Sequence, residues 1–149
     1  MRGSIHKLLK TAQFRKLFFL KKTYLIRLLP VVTENEDIRV RKQSKLYFVD
    51  TGIAIHNADI SGGAKFENTL CHQLQRYGDL SYYQNTGEID FILSTETDRY
   101  ALEAKETPVP TQKKALSRRA ARLGISELNL VGRHQSAKYD RYLWGGSIA

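Results

Sequence analysis

The stretch ALEAKE, residues 101–106, alternates like a β-strand but carries charge on one of its faces. Successive side chains of a strand point to opposite faces, so Glu103 and Lys105 share one face while Leu102 and Ala104 share the other. An acid and a base on one strand face suit a site that handles a metal ion and a proton. The alternative is a solvated sheet face, where such charges contribute little to stability.

A second carboxylate is expected beside Glu103. If the residues TETD form a four-residue loop, Ser94 pairs with Arg99 and Asp90 lies directly opposite Glu103. This register also keeps the apolar side chains of the two strands on matching faces. Directly opposed carboxylates repel each other, because their Cβ atoms are only about 5 Å apart. A divalent cation, Mg²⁺ or Mn²⁺, would relieve that repulsion, since hard cations prefer carboxylate oxygens.

Two further residues complete the candidate site. Glu67 lies beside the apolar stripe of a predicted helix, so it should face partly inward and seek a partner. Lys105, one pleat from Glu103, could orient or deprotonate a metal-bound water. In the same register Glu88 faces Lys105, and a simple ion pair between them is the alternative to a catalytic role.

The apolar patterns predict the elements that position these residues. We expect a helix at 5–22, a strand in TYLIRLLPVV that ends at Pro30, a polar hairpin or loop, and a second strand in KLYFVD. The pattern then predicts a helix at 66–77 stopped by Gly78, strands near 80–85, 88–94 and 99–105, a helix from Thr111 to about 123 ended by Gly124, and a last strand in ELNLVG. The second half therefore reads α-β-β-β-α-β.

The length of 149 residues indicates one domain, or one domain plus a fragment of another, and 42% hydrophobic residues are enough for an apolar core. No apolar run approaches the roughly 20 residues of a membrane span, and the first residues show no signal-peptide pattern. The single cysteine, Cys71, excludes an internal disulfide. We therefore expect a cytoplasmic protein without a membrane partner.

The formal net charge of +9 is concentrated in residues 1–49, which hold 12 Lys and Arg against 3 Asp and Glu. Such a basic segment favours phosphate backbones or an acidic protein surface by long-range attraction. Solubility, or contact with a missing partner domain, is an equally good explanation. An apolar helix in this segment also makes a homodimer a candidate.

The residues that carry the chemistry resemble the PD-(D/E)XK nuclease pattern. That pattern has Glu on a first helix, here Glu67, then Asp on the second strand, here Asp90 in EID, then Glu-x-Lys on the third, here EAK with Glu103 and Lys105. More narrowly, the segments KLYFVDTGIA, FENTLCHQLQRYG, YYQNTGEIDFIL and YALEAKE look like the C-terminal domain of unknown function found on many prokaryotic AAA-type P-loop ATPases. The resemblance covers roughly residues 15–132.

This resemblance implies a restriction-endonuclease-like α/β fold, a mixed sheet flanked by helices. Residues 1–60 would form a basic, winged-helix-like segment and residues 61–149 the nuclease-like domain. The sequence contains no GxxxxGK motif, so the ATPase module of such relatives is absent from it, and we expect a fragment or a stand-alone remnant. The proline of the nuclease motif is also missing, since Gly87 and Glu88 stand in this region.

The implied activity is Mg²⁺- or Mn²⁺-dependent hydrolysis of a nucleic-acid phosphodiester. Asp90 and Glu103 would bind the ion, Glu67 would assist directly or through water, and Lys105 would position the attacking water. The rival hypothesis is a catalytically silent module of an AAA-type ATPase that binds nucleic acid or protein through the same surface.

The helix after the third strand carries several basic residues and no acid. Lys114, Arg118 and Arg122 follow each other at intervals of one turn, with Lys113 beside them, and this stripe could track a DNA backbone. A solvated helix face is the alternative.

Overall fold

A computed structural model of the chain describes residues 15–32, 44–50, 52–53, 61–85, 87–137 and 139–148. The elements in chain order are α1 (15–22), β1 (Ile26–Leu29), β2 (Val31–Val32), β3 (Lys45–Phe48), α2 (Gly62–Leu74), β4 (Asp79–Gln84), β5 (Glu88–Ser94), β6 (Arg99–Lys105), α3 (Pro110–Ala121), β7 (Glu127–Gly132), β8 (Leu143–Trp144) and a 3₁₀ turn (Gly145–Ser147). This part of the chain is mixed α/β. None of its helices has the length and apolarity needed to cross a membrane.

Six of the described strands form one mixed sheet in the order β2-β4-β5-β6-β7-β8. The central strands β4, β5 and β6 are antiparallel, whereas β2, β7 and β8 join in parallel. The strands β1 and β3 form a separate antiparallel pair. The strand predicted to end at Pro30 is confirmed as β1, which ends at Leu29, and Val31–Val32 after the proline form β2 in the other sheet. Proline has no N–H to continue a ladder, and the Pro30 carbonyl accepts the N–H of Tyr82 at 2.9 Å.

Each face of the large sheet is covered by one helix. On one face Leu70 and Leu74 of α2 pack in a core that contains Phe91. On the other face Leu116 of α3 packs in a core that contains Ile92. Full burial of one such side chain stabilises the fold by about 2 kcal/mol. The predicted mixed sheet flanked by helices is confirmed, and so is the order α-β-β-β-α-β of its second half.

The helix α2 begins earlier and ends earlier than the sequence pattern predicts. The Ser61 hydroxyl caps its first turn by accepting the N–H of Ala64 at 3.2 Å. The helix ends at Leu74, so the prediction that Gly78 stops it was wrong. The glycine serves a close contact instead, because a Cβ at Gly78 would lie 2.2 Å from the carbonyl oxygen of Ser94.

The helix α3 begins at Pro110 rather than at a Thr111 cap. Proline suits the first helical position because its missing N–H would have no partner there. The preceding residue, Val109, donates its N–H to Oε1 of Gln112 at 2.9 Å, which closes the first turn. After the helix, Gly124 has φ +65°, the left-handed conformation that glycine adopts without strain, as expected for the end of a helix.

Two predictions fall wholly or partly on residues that the structure does not describe. The helix expected at 5–22 is described from residue 15, where it is helical. The polar hairpin or loop expected between β2 and β3 lies outside the described residues.

Candidate functional site

A β-bulge in β5 decides which way Asp90 faces. The ladder between β4 and β5 shifts register between Ser81 and Tyr83, so that Tyr82 alone faces both Asp90 and Phe91. An extra residue on one strand interrupts the strict alternation of faces. As a result Asp90 contacts groups on the α2 side of the sheet, where Tyr82 and Phe91 also pack.

The predicted register between β5 and β6 is confirmed only in part. Ser94 faces Arg99, as expected. The ladder ends before it reaches Asp90 and Glu103, so the predicted direct opposition of these two residues does not form. Instead, Oδ2 of Asp90 accepts the backbone N–H of Ala104 at 3.0 Å.

Charged side chains around Lys45 form what we call the lysine-centred cluster, made of Lys45, Tyr47, Glu67, Glu88 and Asp90. The Lys45 Nζ lies 2.8 Å from Oε1 of Glu67 and 3.3 Å from Oδ1 of Asp90. It also forms an ion pair with Glu88, and the Tyr47 hydroxyl donates to Glu67. Three acids from α2 and β5 therefore converge on one ammonium from β3.

The electrostatics of this cluster keep its donors protonated. Burial lowers the pKa of Lys45, but the charges of Asp90 and Glu67 and the hydrogen bonds to Glu67 and Glu88 outweigh burial and raise the pKa above its ordinary value. Burial, and then the negative charge of Glu67, also raises the pKa of the Tyr47 hydroxyl. Among the described residues, three carboxylates and one ammonium leave two formal negative charges without a cation paired to them.

The helix α2 holds β3, and with it Lys45, in place. Oδ1 of Asn68 accepts the Phe48 N–H at 2.8 Å, and Nδ2 donates to the Phe48 carbonyl at 3.1 Å. One turn later, Nε2 of His72 lies 2.7 Å from the same carbonyl. Asn68 is only 3% exposed, and a buried amide normally has its hydrogen bonds satisfied. These contacts fix the position of β3 against α2.

An open cavity of about 300 Å³ adjoins the lysine-centred cluster. Its walls come from β3, α2 and the start of β5, namely Lys45, Leu46, Tyr47, Phe48, Ala64, Glu67, Asn68 and Glu88. The cluster can therefore be reached from solvent.

Glu103, Lys105 and Arg119 form a second group, the glutamate-centred cluster. Glu103 is 7% exposed, and its Oε1 lies 2.7 Å from Nζ of Lys105. Its Oε2 accepts a hydrogen bond from Nη2 of Arg119, which extends from α3. A Cβ at Gly87 would lie 2.9 Å from Cδ of Arg119, so the glycine leaves room for this arginine to pass. One carboxylate between two cations leaves one formal positive charge.

The structure thus divides the predicted active-site residues between two clusters. Glu67 and Asp90 belong to the first, and Glu103 and Lys105 belong to the second. The Ala104 N–H, which Asp90 accepts, links the two groups. Among the described residues no three His, Cys, Asp or Glu side chains are grouped as a ready-made metal site, and the acids of the first cluster surround an ammonium instead.

Sequence reasoning missed three participants. Lys45 and Tyr47 lie two residues apart in KLYF, which placed them on one strand face, and this signal was available. Arg119 precedes the buried Ala120, and the sequence pattern did not distinguish it from the other basic residues of α3. Glu88 was expected opposite Lys105 but pairs with Lys45.

The four residues predicted to bind nucleic acid all lie on α3. Lys113 is half-buried, and Lys114, Arg118 and Arg122 are exposed. Because α3 and α2 cover opposite faces of the sheet, these cations lie on the other side from the lysine-centred cluster.

Comparison with known proteins yields one match. A family model described as a domain of unknown function, DUF8612, matches residues 9–63, which is less than half of the chain. The matched range includes Lys45 and Tyr47 and ends before Glu67. Neither a curated protein nor a solved structure matches the chain.

Proposed function

We propose that the chain is a nuclease-like module that hydrolyses DNA phosphodiester bonds with Mg²⁺ or Mn²⁺. A PD-(D/E)XK-type fold and a relationship to the C-terminal domain of AAA-type ATPases are parts of this proposal. The observation that carries it is the opposite charge imbalance of two linked clusters. Counted over the part of the chain that the structure describes, two negative charges around Lys45 and one positive charge around Glu103 are uncompensated.

The donor set of the lysine-centred cluster fits a hard divalent cation. Glu67, Glu88 and Asp90 direct carboxylate oxygens towards one point, and Mg²⁺ prefers such oxygens together with retained waters. We assign Asp90 and Glu67 to hold the ion. When bound, Mg²⁺ or Mn²⁺ would polarise the scissile phosphate and lower the pKa of the attacking water.

The glutamate-centred cluster suits the phosphate. Nζ of Lys105 is held 2.7 Å from Glu103, on the strand whose Ala104 N–H binds Asp90. Lys105 and Asp90 lie at the same end of the sheet but on opposite faces, so in this proposal the phosphate lies across that end, where the Lys105 cation would offset the negative charge that develops on its oxygens. Glu103 orients Lys105, and Arg119 balances the buried charge of Glu103. In this proposal Glu103 supports the metal site from its edge.

Lys45 competes with the metal for the same oxygens. A divalent ion can reach Glu67 and Asp90 only if the Lys45 ammonium moves away from them. The flexible four-carbon stem of lysine permits that movement, and the adjacent cavity provides space for it. We therefore expect weak metal binding in the wild-type chain.

A second candidate is a catalytically silent module of an AAA-type ATPase that binds DNA or a protein. It is favoured by the same ammonium, which already pairs with all three acids, and by Glu103, which already has two cationic partners. In this case the two clusters would serve stability, and the basic surfaces would serve recognition.

The location and assembly of the protein belong to the same proposal. We place it in the cytoplasm, since Cys71, the single cysteine, is a free and buried thiol. DNA is the proposed partner, and the basic N-terminal segment is the proposed homodimer contact.

Cleavage of supercoiled plasmid tests the proposed activity. Wild-type protein should cut DNA with Mg²⁺ or Mn²⁺ and not with EDTA. Asp90→Asn and Lys105→Met should each reduce the rate by at least about 100-fold. Asp79→Asn, which changes an exposed aspartate at the start of β4, is the matched control and should leave the rate unchanged. Cleavage that survives Asp90→Asn would contradict the assignment, and wild-type protein that binds DNA without cutting it would favour the silent module.

A further inference from the structure

A second cavity, of about 330 Å³, lies on the α3 side of the sheet. We call it the basic groove. It is bordered by α3, by β7 and by the segment before β8, and its walls are Pro110, Lys113, Lys114, Ser117, Leu128, Tyr139 and Arg141. Because α2 carries Glu67 on the opposite face, the groove is distinct from the lysine-centred cluster.

The charge of the groove is uniformly positive. Lys113, Lys114 and Arg141 contribute three cations to its walls, and no lining residue is acidic. In the described part of the chain none of the three has an ion-pair partner, whereas Arg119 and Arg133 are both paired. Concentrated like charges repel each other, and a bound anion would relieve the repulsion. The charge pattern therefore specifies an anionic ligand.

Two hydroxyl groups add directional donors. The Tyr139 hydroxyl oxygen is buried and has no hydrogen-bond partner among the described residues. A buried hydroxyl without a partner is unfavourable, and a ligand oxygen that accepts its hydrogen bond would relieve this. Ser117 supplies a second hydroxyl in the α3 wall. Because burial raises the pKa of Tyr139, its hydroxyl remains a proton donor at neutral pH.

The wall opposite α3 is anchored rather than loose. The rings of Tyr139 and Tyr142 stack with their centroids 6.2 Å apart, and both pack against the core on the α3 side. The Tyr142 hydroxyl accepts the N–H of Ser136 at 3.0 Å. These contacts hold the backbone of Arg141 in place, so binding would require little further ordering of the groove.

We propose that the basic groove binds a phosphate group of a DNA strand. Lys113, Lys114 and Arg141 neutralise the phosphate, and the Tyr139 and Ser117 hydroxyls donate to its oxygens. Pro110 and Leu128 offer apolar contact to the adjoining sugar. Only the choice of DNA as the source of the phosphate rests on the proposed function. It also replaces the expected stripe along α3 with a pocket that joins Lys113 and Lys114 to Arg141.

Metal-free DNA binding tests the groove. We would measure fluorescence anisotropy of a labelled 12-mer in EDTA at several salt concentrations, for wild type, Arg141→Gln and Lys113→Gln. Each variant should bind roughly fivefold more weakly and show a salt slope smaller by about one. Arg76→Gln removes an exposed arginine after α2 and is the charge-matched control, expected to stay within about twofold of wild type. Equal losses in Arg141→Gln and Arg76→Gln would overturn the site.

Competition with inorganic phosphate and further variants distinguish the possible outcomes. Inorganic phosphate, compared with chloride at equal ionic strength, should displace the 12-mer from wild type and have a smaller specific effect on Arg141→Gln. Phosphate binding without any DNA binding would reject DNA as the source. Asp90→Asn should lose cleavage but keep metal-free binding, so failure of the nuclease proposal leaves the groove test intact. Tyr139→Phe, which removes only the hydroxyl, should weaken binding about threefold.

Discussion

The lysine-centred cluster has more acids than cations, whereas the glutamate-centred cluster has more cations than acids. In the first cluster the Lys45 ammonium pairs with three carboxylates, and the Lys45 side chain is 21% exposed beside an open cavity. In the second cluster the Glu103 carboxylate pairs with two cations, and the Glu103 side chain is 9% exposed. The first arrangement leaves carboxylate oxygens for an external cation, and the second leaves an ammonium for an external anion. The clusters lie at one end of the sheet but on opposite faces, so the difference indicates complementary roles across that end.

The largest expected effect is on stability, from removing the buried acid. Glu103→Ala leaves Arg119 and Lys105 next to each other without a carboxylate, and we expect the free energy of unfolding to fall by about 3 kcal/mol in urea titrations. Glu106→Ala removes an exposed acid that pairs with Arg133 at 3.0 Å and should change stability by less than about 1 kcal/mol. Equal losses of stability in the two variants would mean that the glutamate-centred cluster is not a buried network.

Removing the central cation should separate stability from metal binding. Lys45→Met leaves Glu67, Glu88 and Asp90 without a counter-charge, and we expect a loss of about 2 kcal/mol without metal. The same change should tighten Mn²⁺ binding at least tenfold and make Mn²⁺ restore the lost stability, because the ion no longer competes with the ammonium. Thermal unfolding with and without Mn²⁺ measures both effects.

Lys21→Met is the control for that experiment, since it removes an exposed lysine of α1. It should change neither stability nor Mn²⁺ affinity. A Lys45→Met protein that is less stable but gains no affinity for Mn²⁺ would favour the silent module over the nuclease.

The smallest expected effect uses Cys71 as a sensor of the first cluster. Burial raises the pKa of this thiol from 9.0 to about 11, while Arg27 lowers it and Glu67 raises it. The folded thiol stays neutral where the unfolded thiol ionises. Its contribution to stability is therefore complete below pH 9.0 and is lost as pH rises from 9.0 to about 11.

Removing the charge of Glu67 should lower the pKa of Cys71. We expect Glu67→Gln to narrow the pH profile of stability, measured by urea titrations at several pH values, because the pKa of the folded thiol moves towards 9.0. Glu96→Gln changes an exposed acid in the loop between β5 and β6 and should leave the profile unchanged. If both profiles match that of the wild type, the cluster does not act on the thiol.

Element order was largely predictable from the sequence, because alternation and turn residues are local signals. The pairing of Ser94 with Arg99 followed from the length of one loop and is confirmed. The end of the first strand at Pro30 was predicted as well and is confirmed, since a proline cannot continue a ladder. The boundaries of α2 and α3 were less accurate because the caps at Ser61 and Pro110 were overlooked.

The arrangement of the site was less predictable, for two physical reasons. A single extra residue at the bulge turns the Asp90 carboxylate to the other face of the sheet. In the sequence this bulge is indicated only by the continuous apolar run that follows Asp90 in β5. Lys45 and Asp90 pair across 45 residues of the chain, and Arg119 reaches Glu103 only because of the way α3 packs on the sheet. Such contacts depend on packing angles that no local pattern specifies.

Calorimetric titration with Mn²⁺ tests the central claim most directly, on wild type, Asp90→Asn and the exposed control Asp79→Asn. We expect one ion to bind per wild-type chain, with affinity reduced at least tenfold in Asp90→Asn and unchanged in Asp79→Asn. That result would locate the cation in the lysine-centred cluster. No binding by the wild type, or equal binding by all three proteins, would contradict the proposal that the excess carboxylates form a metal site.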